Sequence, residues 1–285
     1  MKYIIMCGGT YPKWGTTPRQ LTEIHGEPIV ARTIRLLRGA GVDDIAISTN
    51  LDVFEQFGLP LLRHENDYVG RKYDDYDGYW CNCFYQTGEP ACYIFGDVVF
   101  SPDAIRTIVE YDTDKIMLFG SKAPFASNYP KWYIEPFAFK VSDPDLLRWT
   151  IKETKRLDSI GAFHRKPIAW EFWNVASGGD PNYINPGYVA INDYTCDIDN
   201  PEEIGNVIIH TPKEASMATK KSEPKKPASK KPETRKVTKK AKPKKVDAVI
   251  YKGRTYEVLE RTDDRLMLTD GLIHFWAKVS DIDAD

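Results

Sequence analysis

Apolar residues gather in short runs at 3–6, 44–48, 91–95 and 115–119. Runs of this length, rich in Ile, Val, Phe and Tyr, predict strands buried on both faces. Between the first two runs, residues 28–38 set Ile29, Val30, Ile34, Leu36 and Leu37 along an approximately helical face, with Gly39 and Gly41 as the stop. Between the last two, residues 102–111 read as a second helix, with Ser101 as its N-cap and Pro102 in its first position. Strand–helix–strand units at this spacing imply an α/β fold, a Rossmann-like, mainly parallel sheet with helices on both faces.

The pattern stops near residue 210. Residues 211–245 carry 13 Lys and one Arg against three Glu, about +11, with almost no large apolar residue. Such a segment buries too little surface to offset chain entropy, so a disordered linker is expected, spanning roughly 30–35 Å on average. The rest of the chain holds 25 basic and 38 acidic residues, so a whole-chain charge of −2 conceals an acidic body and a basic segment. Beyond it, β-formers return at 248–251, 255–261, 265–269 and 273–279, separated by Lys252-Gly253, Asp263-Asp264 and Asp270-Gly271 turns. These strands predict a small C-terminal all-β module, an SH3-like barrel. The expected domains are therefore 1–210, 211–245 and 246–285.

Residues 1–6 are too short for a secretory h-region, and no apolar run approaches the roughly 18 residues needed to cross a bilayer. Five cysteines, an odd number, point to reduced thiols and a cytoplasmic setting. Cys81 and Cys83 lack a second close Cys/His pair that would complete a zinc site, so they read as buried positions beside Trp80, Phe84 and Tyr85.

The first strand runs into Cys7-Gly8-Gly9-Thr10-Tyr11-Pro12-Lys13-Trp14-Gly15-Thr16-Thr17-Pro18-Arg19-Gln20-Leu21. Backbone amides and two cations at the carboxyl end of a buried strand suit a polyphosphate. The loop is not a P-loop, because no Gly-Lys-Ser/Thr ends it. The intervals between Gly8, Gly9 and Gly15 do not fit the dinucleotide fingerprint either. A loop that uses glycine only to turn stays open on these residues alone.

This stretch resembles the N-terminal signature of the nucleotidyltransferases with a glycosyltransferase-A-like fold, which include sugar-1-phosphate nucleotidylyltransferases. Gly8 and Gly9 match the glycine pair, Lys13 stands at an arginine position, and Pro18-Arg19-Gln20-Leu21 matches Pro-Lys-x-Leu. Ile24-His25-Gly26-Glu27-Pro28-Ile29 matches the following turn. The chain departs from the signature at Cys7, at Tyr11 and at both cations. The resemblance implies that Cys7, Gly8, Gly9, Thr10, Lys13 and Arg19 bind a nucleotide. It gives Lys13 and Arg19 catalytic roles, the first holding the triphosphate and the second stabilising charge during transfer.

Two acidic motifs follow. Tyr93-Ile94-Phe95-Gly96-Asp97 resembles the family's Gly-Asp motif, and Cys196-Asp197-Ile198-Asp199-Asn200-Pro201-Glu202-Glu203 resembles its Asp-x-Asp-Thr-Pro-Glu-Asp ending. The resemblance implies Asp97 and Asp199 as ligands of Mg2+, with Asp197 a weaker candidate. Read without it, Asp97 starts a turn and Asp199-Asn200-Pro201 caps a helix.

Between these motifs lie Tyr129, Trp132, Tyr133, Trp149, Trp170, Phe172, Trp173 and Tyr183, with Glu135 and Glu171 among them. The family holds its acceptor in this part of the sheet, which implies Glu135, Trp170, Glu171 and Trp173 as substrate contacts. Aromatic faces beside carboxylates suit a sugar or an amino-alcohol cation, and core packing is the alternative for each. Residues 64–80 are also similar to the cytidylyltransferase branch that activates phosphocholine.

The function implied is Mg-dependent transfer of a nucleotidyl group from an NTP to a phosphorylated sugar or small alcohol. A glycosyltransferase of the same fold using an NDP-sugar, and an inactive nucleic-acid-associated adaptor, stay open. Residues 211–285 offer a surface for a polyanion or protein partner, and no membrane partner is expected.

Overall fold

The computed structural model describes residues 1–8, 12–64, 80–121, 134–213, 248–251, 254–261, 265–269 and 274–278. The chain divides into two compact units, residues 1–215 and 216–285.

The first unit opens with β1 (Lys2–Met6), a short hairpin of β2 (Glu23–Ile24) and β3 (Glu27–Pro28), helix α1 (Ile29–Gly39), β4 (Ile45–Ser48) and β5 (Leu61–Leu62). It continues with β6 (Ala91–Phe95), β7 (Val98–Val99), α2 (Pro102–Glu110), β8 (Ile116–Ser121) and β9 (Glu135–Val141). It closes with α3 (Pro144–Ser159), α4 (Ala169–Ala176), β10 (Val189–Ala190), β11 (Cys196–Asp197) and α5 (Ile204–His210). The main sheet has seven strands in the order β10-β8-β9-β6-β1-β4-β5. Only β9 runs antiparallel to its neighbours, so the sheet is mainly parallel, as the strand–helix spacing implied.

Local chemistry accounts for the element boundaries. In α2 the Ser101 hydroxyl accepts the Ala104 N–H at 2.8 Å, with Pro102 leading the helix. Helix α1 ends where Gly41 adopts φ +84°, while the N–H groups of Gly41 and Val42 bond the carbonyls of Arg38 and Leu37. This doubly bonded left-handed stop favours glycine, which has no Cβ to strain. The β2–β3 turn has positive φ at both His25 and Gly26, the two-residue form that follows the twist of a hairpin.

Alternate residues of β1 feed two cores. Tyr3, Ile5 and Cys7 pack with Val30, Leu37, Ile105 and Ile108 under α1 and α2. Ile4 packs with Tyr93, Phe139, Leu147, Ile151 and Trp170 under α3 and α4. Side chains that alternate across a strand thus put helices on both faces. Cys81 is 2 % exposed in the second core beside Phe84, and burial pushes its thiol up to about 11. None of the five cysteines is in a disulfide. No helix among the described residues is long and apolar enough to cross a membrane.

The second unit contains β12 (Ala248–Tyr251), β13 (Arg254–Arg261), β14 (Arg265–Thr269) and β15 (His274–Lys278), paired antiparallel in chain order. The four β-rich runs of the sequence coincide with these strands. The lysine-rich stretch 214–245 lies outside the described residues.

Candidate active site

β1 lies between β4, the next strand of this sheet along the chain, and β6, so the sheet order reverses between β1 and β6. Ligands of open α/β sheets bind at the carboxyl edge of such a switch point. Here Met6 is in register with both Ser48 and Phe95, and the Gly96 N–H donates to the Met6 carbonyl at 3.1 Å. The glycine loop and Asp97 therefore leave adjacent strands at one level. β9 runs the other way, so Glu135, at its start, belongs to the same edge.

A two-stranded ladder carries the second acidic motif to the first. β11 pairs antiparallel with β7, Asp197 opposite Val98, and the Ile198 N–H donates to the Asp97 carbonyl at 3.1 Å. Asp97 and Asp199 thus flank the end of one ladder although 102 residues apart in the sequence.

Arg19 fills the space between them. One guanidinium nitrogen pairs with Asp97, and the other is 3.2 Å from Asp199. Arg19 and Asp97 side chains are only 11 % and 12 % exposed, and Asp199 is 36 % exposed. In surroundings this dry, a charge-assisted fork is strong and removal of one partner is costly. Three groups sum to one negative charge, with both carboxylates within the span of a single guanidinium.

The loop is fastened to the same motif at two further points. Lys13 Nζ donates to Asn200 Oδ1 at 2.6 Å, and the indole N–H of Trp14 donates to the Asp199 carbonyl at 3.2 Å. Behind them Glu203, 5 % exposed, accepts the N–H of Asp199 at 2.9 Å, the N–H of Asn200 at 3.3 Å and the Asn200 side-chain amide at 3.1 Å. The Asn200-Pro201-Glu202-Glu203 spacing carried this signal as a capping pattern. Trp14 carried none, since nothing local marks its distant partner.

Cys7 is fully buried at the base of the loop, and desolvation followed by the nearby Asp97 carboxylate raises its thiol well above the usual range. Gly8 continues the same edge, whereas Gly9 and Thr10 lie outside the described residues. Gly96 has a steric reason to be glycine. A Cβ there would meet the Met6 carbonyl oxygen at 2.5 Å and Cys7 Sγ at 2.8 Å.

The acceptor-side residues are placed in two groups. Glu135, 4 % exposed, accepts the Asp197 N–H at 3.1 Å and so adjoins the acidic motifs. Trp170 and Trp173 are buried in the second core, with indole N–H groups on the carbonyls of Ile134 and Asn185 at 2.8 and 3.0 Å. Glu171 accepts the Ile168 N–H at the start of α4 and pairs with Arg165. Trp149 and Tyr183 are exposed, and Tyr129, Trp132 and Tyr133 lie outside the described residues.

A further arrangement stands at the same edge, on β4. The Asn50 side chain exchanges two hydrogen bonds with the His64 backbone, and the His64 ring meets the Ser48 hydroxyl. Burial lowers the His64 pKa, so the neutral ring is favoured.

Residues 3–122, which hold the glycine loop, Arg19 and Asp97, match the family model described as the MobA-like NTP transferase domain. The class recognised in the sequence, a nucleotidyltransferase domain, is the class this match gives to that stretch. No curated protein matches the chain. Among solved structures, a candidate glucose-1-phosphate thymidylyltransferase from Bacillus anthracis is similar at 17 % identity and TM-score 0.48, covering 73 % of this chain and 94 % of that one. The CTP:phosphocholine cytidylyltransferase of Streptococcus pneumoniae is similar at 16 % identity and TM-score 0.42, covering 73 % and 97 %. An inositol-1-phosphate CTP transferase from T. maritima is similar at 17 % identity and TM-score 0.42, covering 72 % and 95 %.

Proposed function

We propose that this chain is a magnesium-dependent nucleotidyltransferase that joins an NTP to a phosphorylated sugar or small alcohol and releases pyrophosphate. The observation that carries the reading is Arg19, at the end of the glycine loop, paired with Asp97 and Asp199 together.

The donor set suits the metal. Two carboxylates converge on a position already held by a cation, and magnesium takes one or two carboxylates with phosphate and water completing its shell. Asp97 and Asp199 would hold the ion, whose contribution is to neutralise charge on the reacting phosphates. Lys13 would hold the triphosphate. Arg19 would turn its fork toward the phosphate whose charge grows as the bond to pyrophosphate breaks. No general base is required, because a phosphomonoester acceptor is already anionic near neutral pH.

Glu135 would face the acceptor from β9. Residues 1–210 are assigned to this transferase domain, 211–245 to a linker and 246–285 to an SH3-like barrel, an assignment supported by the four-stranded meander.

The test is pyrophosphate release, with magnesium, from each NTP mixed with glucose-1-phosphate, inositol-1-phosphate or phosphocholine. Release from one pair, abolished in Asp97→Ala, supports the reading. No release from any pair counts against it.

A further inference from the structure

We propose that Asn200 is a positioning residue for Lys13, fixing the direction in which that ammonium faces the triphosphate. The proposal rests on the nucleotidyl-transfer reading and adds a residue to it.

Lys13 is exposed and sits on a flexible four-carbon stem, which leaves its charge poorly placed unless something orients it. Asn200 supplies that orientation. Its amide oxygen accepts from Lys13 Nζ at 2.6 Å, across 187 positions of sequence. Its amide nitrogen is held from behind by Glu203 Oε1 at 3.1 Å, and its backbone N–H by Glu203 Oε2 at 3.3 Å. Glu203 is buried and cannot swing away to follow Lys13. The neighbouring indole bond from Trp14 to the Asp199 carbonyl, 3.2 Å, limits movement of the loop itself. The acceptor is an amide rather than an acid, and this matters chemically. A neutral oxygen directs the ammonium without neutralising it, so the charge remains available to phosphate. A carboxylate there would compete with the ligand.

The test is calorimetric titration of ATP, CTP, GTP, UTP and dTTP, each with magnesium chloride, into the full chain and four variants: Asn200→Ser, Asn200→Asp, Lys13→Ala, and Lys13→Ala with Asn200→Ser. Serine is an equally good N-cap, so the Pro201 turn keeps its start while the amide is lost. Asn200→Ser is expected to weaken binding of the nucleotide that binds by roughly three- to tenfold, in the lower part of the range for coupled neighbours, and to have no effect once Lys13 is alanine. Asn200→Asp is expected to weaken binding further than Asn200→Ser. Equal losses from Asn200→Ser with and without Lys13, or no loss at all, would overturn the positioning role while leaving the transferase reading standing. A wild-type chain that binds none of the five nucleotides would overturn both.

Discussion

The guanidinium of Arg19 stands 3.2 Å from the carboxylate of Asp199, 180 residues further along the chain. The same group pairs with Asp97, so one side chain joins the glycine loop to both acidic motifs.

Arg19→Ala leaves two adjacent carboxylates, one well buried, without their cation. Breaking such a pair costs about 3 kcal/mol. Magnesium should replace part of what is lost. Urea denaturation with and without millimolar magnesium chloride is expected to show a larger stabilisation in the variant than in the wild type. Equal effects of magnesium on both would argue that the carboxylates do not form a cation site.

Gly96→Ala drives a methyl group into the Met6 carbonyl and Cys7 Sγ, the junction between β1 and Asp97. Overpacking of this kind costs about 1–3 kcal/mol, and the obstructing carbonyl is backbone that cannot rotate aside. A melting temperature unchanged from wild type would contradict the close approach of these strands.

Glu203→Ala strands three donors around Asp199 and Asn200. The loss is expected to be about 2 kcal/mol by equilibrium denaturation, as for hydrogen bonds to a charged group. A change within a few tenths of a kcal/mol would show the carboxylate to be dispensable.

Much of this fold could be read from local pattern. Residues 91–95 form β6 with the bounds their apolar run gave, α1 and α2 fall within a residue or so of the 28–38 and 102–111 readings, and Ser101 caps α2. Elements whose character depends on distant partners were harder to see. β9 reads Glu-Pro-Phe-Ala-Phe-Lys-Val, and nothing in it announces an antiparallel course through an otherwise parallel sheet. Its Lys140 is buried because Nζ donates to the carbonyls of Ile108, Val109 and Tyr111 at the end of α2, an arrangement set by tertiary packing. Arg32 is similar, a charged residue on the buried face of α1 that bonds the Phe100 carbonyl. At the site, motif order brought Arg19, Asp97 and Asp199 to notice. The Trp14 and Lys13 contacts were invisible because each spans more than 180 residues.

His64 gives the chain a pH dependence with a defined sign. Burial lowers its pKa below the ordinary 6.5, so the unfolded chain binds the proton first as pH falls. Its contribution to stability is complete above pH 6.5 and is lost as pH drops through the lower folded value. Denaturation midpoints between pH 7.5 and 5 are expected to fall less steeply in His64→Gln than in wild type. Parallel profiles would contradict the buried neutral ring.

Phosphorus NMR of the chain with magnesium, an NTP and a phosphorylated acceptor reads the bond changes directly. Cleavage between the α- and β-phosphates should give pyrophosphate together with a new pair of coupled diphosphate resonances joining nucleotide to acceptor, and neither should form with Asp97→Ala. Across the full set of NTPs and acceptors, an unaltered spectrum, or a nucleoside diphosphate and inorganic phosphate in place of those signals, would contradict nucleotidyl transfer at the Arg19–Asp97–Asp199 site.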